Sequence, residues 1–357
     1  MMNYIYTLIP IALMGFAAVQ GSKWNFNAAT YMDKKYTNAV KGMMCVVIMY
    51  VHISNDYTNA VQNIIGSFAY VGVFTFFAIS AFGCRTSVER SQSYLNQFWK
   101  KRILALFVPA ILINIISFGF KVMSLNVYEI RGLYAFNQYI YAIIVAYLVF
   151  WIIWKTKAIP MDIKDWLVGL ICLLFSLITY LTPIKIFFIW PTESIGFIFG
   201  LILYHKKEII TSEFKQSHTR KMIILFLLSA LLGILYMKYK HVFFLGGWLL
   251  RVVLAVVLLL LFSACTMNIS FEGRLVQLLG NISYEFYLGH LVVISIVSRL
   301  FPKISSGVFI VIVFVATLIL SIVVKIMSDK IMSPLLRTRK QLVERNKKEK
   351  LSVRLGK

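Results

Sequence analysis

Long apolar runs, recurring at short intervals along the chain, constrain this sequence more than any other feature. A helix needs about 20 apolar residues to cross the hydrocarbon core of a bilayer. Backbone inside that core must satisfy its own hydrogen bonds, so runs of this length are expected to be helical. Eleven segments qualify: about 2–20, 39–56, 64–83, 103–120, 134–154, 165–182, 186–204, 221–237, 242–265, 281–300 and 306–328. The chain is 60% hydrophobic and 14% charged over 357 residues, with a mean hydropathy of +0.79. That is more apolar surface than a water-soluble chain of this length needs. The expected fold is all-α: a polytopic membrane bundle of about eleven helices.

Charge orients the bundle. The net charge is +23, from 37 Lys+Arg against 14 Asp+Glu. The bases gather in alternate connections, at 21–38, 84–102, 155–164, 205–220 and the tail 329–357, while 57–63, 121–133, 183–185, 238–241 and 301–305 hold few. This is the pattern of membrane topology and anionic lipid contact, not of nucleic-acid binding. It places the N-terminus outside and the C-terminus in the cytoplasm. The connection 266–280, with Arg274 and Glu272, falls inside. No Lys or Arg precedes Lys23, so the first segment reads as a membrane helix rather than a signal peptide. No internal repeat is evident, against the repeat-built transporters. Cys45, Cys84, Cys172 and Cys265 have no CxxC spacing; no disulfide framework or metal site is expected.

Ionisable residues inside apolar segments are costly and tend to face a protein interior. The stretch "KGMMCVVIMYVH" carries Lys41 and His52 eleven residues apart. On a helix they share one face to within about 20° and stand about 16 Å apart along the axis. Either they snorkel to opposite surfaces or they line one interior face. Asp56 follows His52 by four residues, a spacing that places it to orient the imidazole or to cap the helix. Glu193, in "WPTESIGFIFG", lies level with His52, and a carboxylate facing an imidazole raises its basicity. Ser283, Tyr287 and His290 share a helix face. Ser80 sits inside the third segment. Arg85, Arg90, Lys100, Lys101 and Arg102 crowd one inner connection. His205, His218 and His241 read as exposed loop residues.

Four stretches, in order, resemble acyltransferase family 3, the bacterial integral-membrane O-acyltransferases of surface glycans. A basic residue, ten intervening residues and a histidine (Lys41–His52, with Lys where the family usually has Arg) form the first. "GVFTFFAISAF" (Gly72–Phe82) is similar to the family's Phe-Phe-x-x-Ser-Gly-Phe, with Ala81 for the glycine. "FWKKRILALFVP" (Phe98–Pro109) resembles its Arg-rich helix entry, with Arg102 matching and Ala105 at the second arginine. "LGNISYEFYLGH" (Leu279–His290) matches its late Ile-Ser-Tyr-x-x-Tyr-Leu-x-His stretch.

The resemblance implies a ten-helix acyltransferase domain over 36–328. An extra N-terminal helix and inner loop would precede it at 1–35, and a basic cytoplasmic tail would follow at 329–357. It implies a multi-pass protein of the bacterial cytoplasmic membrane. Acetyl would pass from cytoplasmic acetyl-CoA to a hydroxyl of a cell-surface or lipid-linked polysaccharide. The catalytic candidates are His52, Glu193 and His290. The donor-binding candidates are Lys41, Ser80, Arg85, Arg102, Ser283 and Tyr287, with the basic ones meeting CoA phosphates. The expected partners are the glycan acceptor, acetyl-CoA and membrane lipids, with no metal and no nucleic acid. Alternatives in other classes are a membrane transporter and a non-catalytic component of a glycan-assembly complex.

Overall fold

The computed structural model describes residues 2–24, 32–123, 138–182 and 191–336. It is a helical membrane bundle. Helices α1 Met2–Val19, α2 Lys34–Val51, α3 Ala60–Ser67, α4 Ala69–Arg90, α5 Phe98–Met123 and α6 Gln138–Lys155 make up the first half. The second half holds α7 Lys164–Leu181, α8 Ile195–Lys215, α9 His218–Tyr239, α10 Arg251–Thr266, α11 Arg274–Asn281, α12 Ser283–Leu300 and α13 Ser306–Leu336.

Among the described residues, seven helical stretches are long and apolar enough to cross a membrane: 2–19, 60–90, 98–120, 164–181, 218–239, 245–266 and 306–336. Helices α2, α8 and α12 fall outside that set, and α6 is apolar but shorter. The reason is composition. Helix α2 carries Lys34, Lys35 and Lys41, and α12 carries Glu285 and Arg299.

Small residues let the inner helices meet at backbone distance, as membrane bundles require. On α8, a Cβ added at Gly196 would stand 2.1 Å from the Phe74 carbonyl oxygen, and one at Gly200 would stand 2.2 Å from that of Ala78. This Gly-x-x-x-Gly pair seats α8 on α4. Likewise Gly42 of α2 abuts the backbone of Gly280, where a Cβ would stand 2.7 Å from the amide nitrogen. That approach brings the end of α11, and so the start of α12, against α2.

Two departures from the expected all-α reading are local. Ser22–Trp24 (β1) pairs antiparallel with Ile269–Phe271 (β2), Lys23 opposite Ser270. Beyond it Glu272 receives Lys23 at 2.8 Å and Lys35 at 2.9 Å. These ion pairs hold down the Glu272 carboxyl to about 2. The second departure is a π-helical turn, Leu245–Leu250, that leads into α10.

Candidate active site

Helix α2 ends at Val51, and His52 is its C-cap, with its amide donating to the Met49 carbonyl at 3.1 Å. The chain then turns through Asn55–Tyr57. The helical spacing that would set Asp56 beside His52 is therefore not realised, and Asp56 is exposed. What faces His52 instead is His290, from the middle of α12 and fully buried. Nε2 of His290 lies 3.1 Å from Nδ1 of His52, with ring centroids 4.9 Å apart.

Backbone carbonyls fix the tautomers, because a carbonyl oxygen only accepts. His290 Nδ1 lies 3.2 Å from the Phe286 oxygen and His52 Nδ1 lies 3.1 Å from that of Ile48. Each Nδ1 therefore carries the proton. The one His52 Nδ1–H is then shared between the Ile48 oxygen and the Nε2 lone pair of His290, each 3.1 Å from the nitrogen, and His52 is left with Nε2 as its basic nitrogen.

From this pair a line of aromatic and polar groups runs toward the end of the bundle that bears the basic connections. Tyr287 stands 5.9 Å from His290, and Tyr139 stands 5.3 Å from Tyr287, centroid to centroid. The phenols of Tyr139 and Tyr147 both engage the Ser80 hydroxyl. The Arg102 guanidinium carbon sits 4.7 Å over the Tyr147 ring. Arg102 also donates to the Tyr94 hydroxyl at 2.8 Å and to Cys84 Sγ at 3.2 Å. Among the described residues its Nε is buried with no hydrogen-bond partner. Lys41 lies in the electrostatic field of Glu285, Lys325 and Arg102. So Ser80, Arg102 and Tyr287 lie on one interior line with His290 and His52, and Lys41 stands within electrostatic range of Arg102.

Two donor candidates stand apart from it. Ser283 is buried and gives its hydroxyl to the Gly280 carbonyl at 2.8 Å, a local bond at the start of α12. Arg85 lies within α4 rather than in a connection. Its Nε meets Asp165 Oδ2 at 2.7 Å, and its guanidinium packs over Trp154 and Tyr204. His205 Nε2 shares that oxygen at 2.8 Å, and Trp154 donates to the other at 3.0 Å. His205 is therefore a half-exposed helix residue with a carboxylate partner, not a free loop histidine. His218 opens α9 and donates to the Ala264 carbonyl at 2.8 Å.

Glu193 shares a cavity of about 420 Å³ with His52. Its two oxygens, however, are held by others: Thr192 donates to one, and Arg251 ion-pairs with the other. Arg251 and Glu285 went unweighed in the sequence. The signal was available: each is a charge inside an otherwise apolar segment, the feature that singled out Lys41 and Glu193. Glu285 is 3% exposed, with Lys325 Nζ at 4.0 Å.

No curated protein and no solved structure matches this chain. A family model does, over most of its length, and the matched segment takes in His52, Ser80, Arg102, Glu193 and His290 together with the helices that present them. The chain belongs to acyltransferase family 3, whose acyltransferase domain covers residues 34–326, and its apolar helices make it a membrane acyltransferase.

Proposed function

We propose that this membrane acyltransferase moves acetyl from cytoplasmic acetyl-CoA to a hydroxyl of a cell-surface or lipid-linked polysaccharide, with His52 as the base. The observation that carries the reading is the unbroken interior line from Arg102 through Tyr147, Ser80, Tyr139 and Tyr287 to the His290–His52 pair. A donor with an anionic head and a long neutral arm matches a line with cations at one end and an imidazole at the other. Arg102 and Lys41 would meet phosphates, a role for which lysine offers charge without a bidentate fork.

An alcohol is a weak nucleophile at neutral pH and needs its proton removed as it attacks. In this reading His52 Nε2 takes the hydroxyl proton while the oxygen bonds to the thioester carbonyl carbon. The C–S bond then breaks, and the imidazolium returns the proton to the departing CoA sulfur. The products are an acetyl ester and free CoA thiol. His290 acts as a positioning residue: its Nε2 lone pair accepts from His52 Nδ1–H and supports the imidazolium. Glu193, bound to Thr192 and Arg251, shapes the acceptor side of His52.

We further propose eleven spans, α3 and α4 counting as one and the π-turn joining α10, with the basic connections facing the cytoplasm of a bacterium. A cysteine at exposed Asn55 should then react with an impermeant maleimide in intact cells, and one at exposed Gln216 should not; the reverse would overturn the orientation.

The test of function is acetyl transfer by purified protein in lipid nanodiscs, with labelled acetyl-CoA and oligosaccharide acceptors, followed by mass spectrometry. Label in an ester on the sugar is the expected result. Replacing Lys41 by Ala should raise the acetyl-CoA KM about tenfold while Lys41→Arg stays near wild type, as loss of a charged contact predicts. Uptake of oligosaccharide into sealed vesicles without any ester formed would overturn the enzyme reading in favour of transport.

A further inference from the structure

Helix α1 lies ahead of the residues that match the family, 34–326, yet its inner face reaches the segment that carries His52. Its buried residues are Thr7, Pro10, Met14, Ala17 and Ala18. They recur mostly at steps of three and four and so form one stripe along the helix. Lipid gives such a stripe little hydrophobic reason to turn inward, so packing and hydrogen bonds must hold it. Thr7 supplies the polar part. It is fully buried, and its backbone oxygen accepts the hydroxyl of Tyr50 at 2.5 Å. Tyr50 is also fully buried and stands two residues before His52.

The end of α2 needs such a hold, because the last four carbonyls of a helix have no intrahelical donor and helix ends fray. His52 itself engages two of them: its amide reaches the Met49 oxygen and its Nδ1 the Ile48 oxygen, each at 3.1 Å. A third, that of Tyr50, accepts from Gln62 Nε2 of α3. Asn59 caps α3 by accepting from the Gln62 amide at 3.0 Å. The same side chain donates to Thr7 Oγ1 at 2.8 Å and to Ser306 Oγ of α13 at 3.0 Å. Asn3 of α1 accepts from the Gly307 amide at 2.8 Å. Beyond His52, Tyr57 donates to the Phe301 oxygen at 3.0 Å and stacks on Phe309 of α13 at 3.8 Å. One polar network thus joins α1, the end of α2, α3 and the start of α13.

We infer that α1 is a positioning element of the active site, with Tyr50 the residue through which Thr7 holds His52 against His290; this rests on the reading of His52 as the base. Helix α13 carries the other half of the frame. It joins the network at Ser306 and Gly307, and its Phe314 packs at 6.2 Å on Phe286, one turn before His290. Both imidazoles are therefore referred to the same scaffold. A base at a helix end tolerates little drift, since a misplacement of about 1 Å can cost about 10²-fold in rate.

Full-length variants in lipid nanodiscs test this by rate and by spectrum. Tyr50→Phe deletes one oxygen and should lower kcat for acetyl transfer about tenfold per folded protein, with the acetyl-CoA KM within about twofold of wild type. Thr7→Val should lower kcat in the same way, whereas Thr7→Ser, which keeps the hydroxyl, should stay near wild type. Tyr4→Phe, on the exposed face of α1, should change nothing. With isotope-labelled histidine, NMR reads the ring nitrogens directly, and the spectrum of His52→Ala identifies the His52 signals. Those signals should move in Tyr50→Phe and Thr7→Val and stay in place in Tyr4→Phe. A lower melting temperature with wild-type kcat and unmoved His52 signals would overturn the inference and leave α1 a packing helix. Unchanged melting, kcat and signals would overturn it as well. Undiminished transfer by His52→Ala would sink the base reading alone, and movement of the His52 signals in Tyr50→Phe would then still sustain α1 as the element that holds that residue.

Discussion

Helix α9 and helices α2 and α12 are built by opposite rules. The apolar stretch of α9, 218–239, is only 6% buried within the protein, and Phe226, Leu227, Leu231 and Ile234 face outward. Helices α2 and α12 are less apolar, yet they hold His290 at 0% exposure, Glu285 at 3%, and Tyr36, Val46 and Met49 in the core. In water the outer helix would be the polar one. In lipid the outer helix must satisfy hydrocarbon on most of its circumference, whereas an inner helix meets only other helices. Polar residues therefore concentrate where protein encloses them, and there the candidate site lies. The lesson is that hydropathy marks lengths able to span, whether they face outward, as 218–239 does at 6% buried, or inward, as 60–90 does at 67%, and passes over α2 and α12, which carry His52 and His290.

The largest expected effect contrasts the two regions directly. His52→Ala should lower acetyl transfer by about 10²–10⁴-fold, the usual contribution of a positioned acid–base group. Leu227→Ala on α9 should leave turnover near wild type. Steady-state rates at saturating donor, normalised to folded protein, decide it; equal losses in the two variants would break the contrast.

Packing gives the next effect. Gly200 on α8 has no room for a methyl group against Ala78, while Gly233 on α9 has nothing within 4 Å of an added Cβ. Gly200→Ala should therefore cost about 1–3 kcal/mol, the usual price of overpacking. Gly233→Ala should be neutral or stabilising by about 0.5–1 kcal/mol, since alanine suits a helix better than glycine. Melting temperatures of the purified variants in one detergent measure both, and a Gly233→Ala protein that melts as early as Gly200→Ala would show α9 to be packed against something.

The smallest effect belongs to the ribbon outside the membrane. Hydrogen bonds from Lys23 and then Lys35 hold the Glu272 carboxyl at about 2, below its ordinary 4.5. A depressed carboxyl pKa contributes stability that is fully present above pH 4.5 and is lost as pH falls toward 2. The pair faces water, which screens it, so the contribution is small. The melting-temperature difference between wild type and Glu272→Gln should shrink as pH drops from about 6 to about 3. A difference that grows on acidification would refute the ion-pair origin.

Several members of the candidate site were legible in the sequence because charge in an apolar run is conspicuous. Lys41, His52, Glu193 and His290 stand out for that reason, and the spacing of Lys41 and His52 follows from helical geometry alone. The partners were not legible. The His52–His290 contact joins residues 238 positions apart. Arg85 was grouped with Arg102 by proximity in sequence, but Asp165, 80 positions away, draws it into a different cluster. Setting Asp56 beside His52 needs a helix that runs on to residue 56, and α2 ends at Val51.

What the sequence determined by itself was the solvent: runs of apolar residues at bilayer length force helices. Period and composition are local quantities, and lipid imposes its demand locally, residue by residue. Which helix lies inside, which nitrogen of His290 meets His52, and which charge neutralises Arg251 were decided only by tertiary structure. Those pairings depend on backbones approaching at Gly42, Gly196 and Gly200, and the fit between two surfaces is a property of neither helix alone.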